Sequence, residues 1–281
     1  MTIAAVQMDF LLGEPENNLD NMIARLEVAA QAGAFLTVFP ECALTGYCFE
    51  SHEEAFQYGQ TIPGPSTERM TETCKRLNCH VVYGLLEVDG DRLFNACALV
   101  GPDGVVGSYR KIHLPRLGVD CFTTPGDRPF EVWPVGEAKV GMHICYDGAF
   151  PEAPRAMALL GADLIVLPTN WPPGTECTAS CIANARALEN NVYYLAVNRI
   201  GTERGFRFIG NSRICDTDGS VLASALHEEE SILYAEIDVT RARQKRLVRV
   251  PGKHEIHRFA DRRPEMYGPL VDPNRVPPRE I

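Results

Sequence analysis

No run of the 281-residue chain approaches the roughly 20 consecutive apolar residues that a membrane-crossing helix needs, so no span is expected. The basic flank and apolar stretch of a secretory signal are missing too; Thr2-Ile3-Ala4-Ala5-Val6 reads at once as a short buried strand. Positive charge is in deficit. Against 37 Asp and Glu stand 27 Lys and Arg, a formal net charge of −10, the wrong sign for displacing counterions from a nucleic-acid backbone. Cysteine is plentiful, at ten residues, but no pair is spaced Cys-x-x-Cys; the nearest are Cys42 and Cys48, Cys74 and Cys79, and Cys177 and Cys181. That argues against a structural zinc site. A chain of this size without an export signal is expected to keep its thiols reduced, most of them as small buried apolar side chains. A Gly-x-Ser-x-Gly turn is absent, which removes the serine nucleophile of the α/β-hydrolase type. A soluble, acidic, cytoplasmic protein is expected, with no nucleic-acid or membrane partner.

What is present is an interleaving of helical and strand-like periods from end to end, the α/β pattern. Strands are expected at 2–8, 35–39, 80–87, 94–100, 105–109, 140–145, 164–167, 192–197, 208–215, 221–225 and 232–237. Helices are expected at 17–32, 67–77, 151–160 and 175–191. No low-complexity linker or fixed repeat divides the chain. Residues 1–244 therefore read as one domain. The segment 245–281 differs: Arg246, Arg249, Lys253, Arg258, Arg262 and Arg263 make it basic, and Pro264, Pro269, Pro273, Pro277 and Pro278 are expected to keep it extended. It is either a solvated tail or an arm laid on an oppositely charged partner subunit.

Catalytic groups in α/β folds collect where strands end, and three strand ends here carry a reactive type. Phe39-Pro40-Glu41 supplies a carboxylate, Tyr109-Arg110-Lys111-Ile112-His113 an ammonium, and His143-Ile144-Cys145-Tyr146-Asp147 a thiol. A thiol attacks as thiolate and needs a base or cation beside it. A glutamate can shuttle protons, and a lysine can hold a developing oxyanion. Together these suffice for acyl transfer without a metal. Each has a duller explanation by itself: a core thiol, a solvated lysine, a carboxylate opening a turn. His143, inside its strand, reads as a hydrogen-bonded core histidine, and His113 as a residue that orients its loop.

These segments, in this order, resemble the nitrilase or carbon–nitrogen hydrolase superfamily. Phe39-Pro40-Glu41 with Leu44-Thr45-Gly46-Tyr47 is similar to its glutamate motif. Tyr109 through Pro115, with Thr124-Pro125-Gly126-Asp127, is similar to its lysine motif, and Gly141 through Glu152, continuing to Gly161-Ala162-Asp163, to its cysteine motif. Further likeness at 186–190, 198–201 and 210–219 extends the resemblance from the first strand to about residue 240.

The resemblance implies a four-layer α-β-β-α sandwich, with Cys145 as nucleophile, Glu41 as general base and acid, and Lys111 as oxyanion stabiliser. The Tyr146 N–H would be a second oxyanion donor. It implies no cofactor, and a homodimer or higher homo-oligomer with the C-terminal segment packed on the partner. Many members carry a second glutamate about eight residues after the lysine; Val119 stands near that place, and either Asp120 substitutes or the role is absent. True nitrilases tend to have Trp-Glu after the cysteine, where this chain has Tyr146-Asp147. The expected substrate is therefore a small amide or N-carbamoyl compound, the alternatives being a nitrile or a non-catalytic binding role. Tyr47, Tyr146, Asn170 and Trp171 are the expected substrate-binding residues.

Overall fold

The structure, a computed structural model, describes residues 1–276; Pro277 and Pro278 lie outside the described residues. Met1–Arg243 forms one unit, and the chain from Gln244 onward a second.

The first unit is built on two six-stranded sheets. In spatial order the first runs Ser231–Glu236, Thr2–Gln7, Leu36–Val38, His80–Asp89, Arg92–Gly101, Gly104–Arg110. The second runs Val221–Ser224, Arg213–Cys215, Tyr193–Asn198, Leu164–Thr169, Ala138–Met142, Val132–Val135. Each has three parallel strands at its centre and antiparallel strands at its edges. The central strands are mostly apolar and largely buried because both faces are covered. Helices Pro15–Gln31 and Pro65–Leu77 cover the first sheet, Glu152–Leu159 and Glu176–Asn190 the second, and the sheets pack face to face. This is a four-layer α-β-β-α sandwich.

Local signals explain the boundaries. Pro15 and Pro65 stand at the first turns of their helices, where a missing N–H costs nothing. Asn78 and Asn191 end helices in the left-handed conformation, with φ of 52° and 48°. Pro168, expected to stop its strand, lies inside Leu164–Thr169. The neighbouring strand Ala138–Met142 pairs only as far as Val166, so that flank of Pro168 makes no ladder. Val132–Val135 was masked in the sequence by Pro134, which an edge strand tolerates. The strand expected over 208–215 shortens to Arg213–Cys215, because Gly210 and Asn211 take φ of 61° and 66°. The strand expected to reach Cys145 ends at Met142, and Cys145 opens a 3-10 turn instead.

In the second unit, Arg246–Val250 and His254–His257 pair as an antiparallel hairpin. Lys253 N–H donates to the Val250 carbonyl (3.0 Å), with Pro251 and a left-handed Gly252 (φ 70°) in the turn. Beyond it, 3-10 turns occupy Pro264–Met266, Gly268–Leu270 and Pro273–Arg275. Among the described residues the segment is thus not extended along its length: Pro264, Pro269 and Pro273 sit in the first turns of these elements and interrupt no strand. All ten cysteines are free thiols, seven buried and three exposed. Among the described residues no helix is long and apolar enough to cross a membrane.

Candidate active site

Glu41 follows the short strand Leu36–Val38, and the next strand holds it by its backbone. Phe39 N–H donates to the Val82 carbonyl (2.8 Å), Gly84 N–H to the Pro40 carbonyl (3.1 Å), and Leu44 N–H to the Gly84 carbonyl (3.1 Å). Gly84 is glycine for a steric reason. A Cβ there would stand 2.2 Å from Cys42 N and 2.7 Å from the Glu41 Cα, closer than any real contact, and only backbone could yield. Gly84→Ala is therefore expected to push the Glu41 loop outward. Overpacking of this kind costs about 1–3 kcal/mol, which urea unfolding would register. Displacing a catalytic group by about 1 Å can cost about 100-fold in turnover, which an activity assay would register.

Lys111 arrives by alternation. Along Gly104–Arg110 successive side chains point to opposite faces, and the three residues at its end go to three places. Tyr109 donates its hydroxyl to Asp147 Oδ2 (2.8 Å). Arg110 turns the other way, into a two-pronged pair with Glu87 (2.7 and 2.9 Å), with Asp127 at 3.0 Å. Lys111 then donates from Nζ to Glu41 Oε1 (2.7 Å) and Asp120 Oδ2 (2.5 Å). Far from solvated, Lys111 is wholly buried, as are the side chains of Glu41 and Asp120. Burial pulls the Lys111 ammonium down, but Asp120 and Glu41 outweigh it and hold its pKa well above the ordinary value. Burial, reinforced by the Asp120 charge, raises the Glu41 carboxyl, while Lys111 and Asn95 pull the other way.

Cys145 takes φ of 47°, a strained conformation for a side-chain-bearing residue. Asp147 holds the turn in place. Its Oδ2 accepts from Ile144 N–H (2.9 Å) and the Tyr109 hydroxyl, its Oδ1 from His113 N–H (3.0 Å), and His113 Nδ1 stands 2.7 Å from Oδ1. His113 is itself stacked on Phe150 at 3.7 Å between centroids, which fits a loop-orienting residue. The Cys145 thiol lies within electrostatic reach of both Glu41 and Lys111. Burial, then Glu41, pushes it up to about 12; Lys111, Thr169 and the Asn170 backbone N–H favour its anion. At neutral pH the proton thus stays on sulfur until a base takes it. His143 is buried with its pKa lowered by burial to about 4, and its Nε2 stands 2.6 Å from the Tyr194 hydroxyl; it is a core histidine.

The sites expected for substrate fall in different surroundings. Asn170 is buried and donates from Nδ2 to the Glu41 carbonyl (3.0 Å), linking the second sheet to the first. Trp171 is nearly buried, its N–H held by Asn198 Oδ1 (2.8 Å). Tyr47 is also buried, and its hydroxyl donates to Asp120 Oδ2 (2.8 Å). Tyr146 alone is open, at 42% exposure. The Trp171 carbonyl accepts from Ile209 N–H (3.1 Å), and Ile209 helps line a cavity of about 320 Å³ with Glu176, Arg207 and Glu228 at its walls. No group of three or more metal-ligating side chains converges among the described residues.

Three residues were missed or left open in the sequence. Asp120 pairs with Lys111 from the position after Val119. Asp147 fixes the cysteine turn. Asn95, on Arg92–Gly101, donates from Nδ2 to Glu41 Oε1 (2.7 Å) and to Asp120 Oδ1 (2.8 Å). Its signal was there: a lone amide in an apolar run must find partners when buried.

The sequence profile of carbon–nitrogen hydrolase matches residues 2–247. The chain belongs to the carbon–nitrogen hydrolase family. Relatives of this hydrolase include a nitrilase of Pyrococcus abyssi, 41% identical over 266 residues, with 94% of this chain and 98% of that one covered. A citrullinase of Francisella tularensis is 31% identical over 286 residues, with 96% and 97% covered. Among solved structures, an amidase from Nesterenkonia sp. matches the hydrolase with a TM-score of 0.79 at 25% identity, covering 95% and 94%.

Proposed function

We propose that this hydrolase cleaves the C–N bond of a small amide or N-carbamoyl compound through a Cys145 thioester, without a cofactor. The observation that carries the reading is the convergence of a buried Glu41–Lys111 pair, joined at 2.7 Å, on a strained, buried thiol. Glu41 takes the Cys145 proton as sulfur bonds to the carbonyl carbon. Lys111 Nζ and the Tyr146 N–H receive the negative charge on oxygen. As the adduct collapses the C–N bond breaks, and Glu41 returns the proton to the departing nitrogen, giving ammonia or an amine. Water then attacks the thioester, losing its proton to Glu41, and the thiol leaves with that proton as the acid forms. Asp120 pairs with the Lys111 ammonium throughout.

The pair Tyr146-Asp147, where true nitrilases tend to have Trp-Glu, favours an amide over a nitrile. The likeness to an amidase of known structure agrees with it. The 41% identity to a nitrilase supports a second reading, nitrile hydrolysis by the same three residues. Ammonia release from small aliphatic amides, ω-amides, N-carbamoyl amino acids and nitriles decides between them. Turnover of amides or carbamoyl compounds is expected. Turnover of nitriles alone would establish the second reading, and silence across the panel, with a Cys145 that resists iodoacetamide, would point to a binding protein.

A further inference from the structure

Glu41 has two carboxylate oxygens in unlike surroundings. Oε1 accepts from Lys111 Nζ and from Asn95 Nδ2, both at 2.7 Å. Oε2 is buried and has no hydrogen-bond partner among the described residues. A carboxylate oxygen offers two in-plane lone pairs, so two donors fill Oε1.

Asn95 is equally constrained. Its two amide hydrogens go to Glu41 Oε1 and Asp120 Oδ1, and its Oδ1 accepts from the Cys42 thiol (3.6 Å). Turning the amide over would set its oxygen against two carboxylates. Its backbone carbonyl also accepts from Lys111 N–H (2.8 Å), so the residue is tied to both members of the pair.

We propose that Asn95 is a positioning residue that, with Lys111, occupies Oε1 of Glu41 and so assigns the travelling proton to Oε2. The inference rests on the reading of Glu41 as proton carrier. The amide acts in two ways: it fixes the carboxylate plane, and by donating more strongly to Glu41's charged form than to its neutral form it keeps the group acidic enough to ionise. The other titratable groups facing Glu41 are Lys111 and Asp120, ion-paired with each other, and Tyr47, Cys42, Cys97 and Cys145, which burial keeps protonated.

Asn95→Leu, close in volume, removes the donors and leaves the packing. Glu41 must be ionised to take the thiol proton, so losing a bond that favours its anion moves the acidic limb of kcat/KM to higher pH. A shift of at least about half a unit is expected, with kcat down about 10- to 100-fold and KM within about three-fold. A merely structural role would change the yield of folded protein or KM and leave the limb in place. The same limb is read without substrate from the pH dependence of Cys145 alkylation by iodoacetamide, followed on the Cys145 peptide by mass spectrometry.

If Asn95→Leu does not fold, Cys42→Ala and Cys42→Ser serve instead. Alanine removes the thiol that fixes the amide and is expected to move the limb in the same direction by less, while serine keeps a donor and holds the wild-type limb. A folded Asn95→Leu with wild-type limb and kcat, or Cys42→Ala indistinguishable from Cys42→Ser, overturns the proposal. Cys145→Ala, run alongside, separates the two failures. If it retains turnover, the reading of the triad falls; if it is inactive while the limb never moves, only the role of Asn95 falls.

Discussion

Cys145→Ala is expected to lower hydrolysis by at least about 10⁴-fold, the scale on which loss of a covalent nucleophile is felt, in a protein that unfolds at the wild-type urea concentration. The variant removes one sulfur from a nearly buried position and touches neither Asp147 nor the strand before it. Its partner experiment is Glu41→Gln. With the thiol held near 12, sulfur is protonated at neutral pH, and only the thiolate attacks. On the proposed mechanism Glu41 accepts that proton in the wild type. In Glu41→Gln no base remains, and since a group below its pKa gains about tenfold in anion per pH unit, alkylation of Cys145 should climb steadily toward alkaline pH. A wild-type alkylation profile in Glu41→Gln would remove Glu41 from the proton path.

Asp120→Ala should be the costliest change outside the three reacting residues. Lys111 is sealed between two carboxylates at 2.5 and 2.7 Å, with no exposure on any side chain of the three. Breaking a buried ion pair by deleting one partner typically costs about 3–5 kcal/mol, because the remaining charge is left uncompensated. A fall of that size in unfolding free energy is expected, measured by urea titration. Tyr47 loses its acceptor at the same time. A milder probe, Asp120→Asn, keeps the shape and removes the charge. The Asp120 charge raises Glu41, so its loss should lower the Glu41 pKa and carry the acidic limb of kcat/KM to lower pH. That direction is opposite to the shift expected for Asn95→Leu. An Asp120→Ala protein as stable as wild type would show that Lys111 does not depend on this carboxylate.

Much of this was legible in the residues. The apolar period of Pro15–Gln31 places that helix by local physics that burial does not overrule. Glu41, Lys111 and Cys145 stood out as reactive types after strand-like runs, and the family resemblance is what gave them roles; in the structure Cys145 opens a 3-10 turn rather than ending its strand. What escaped were relations set by tertiary packing. Pro168 read as the end of its strand, since a sequence does not say which side of a strand lacks a neighbour. Asn95 read as one polar residue in a strand, and Asp120 as a loop residue at an uncertain offset. Both acquire their meaning only when Gly104–Arg110 pairs beside Arg92–Gly101 and brings Lys111 against them. Tyr47 was expected near substrate because it follows the glutamate motif; that its hydroxyl also donates to Asp120 was not legible.

Glu41 and Lys111 hang from one sheet, and Cys145 from the other, with the Asn170 amide reaching across to the Glu41 carbonyl. A nascent or half-folded chain therefore carries a thiol with no base beside it and a base with no thiol. On the proposed mechanism such a chain lacks the arrangement that would turn over an amide. On that reading amide turnover waits on the docking of the two sheets, and the fold itself acts as the safety catch on the proposed chemistry.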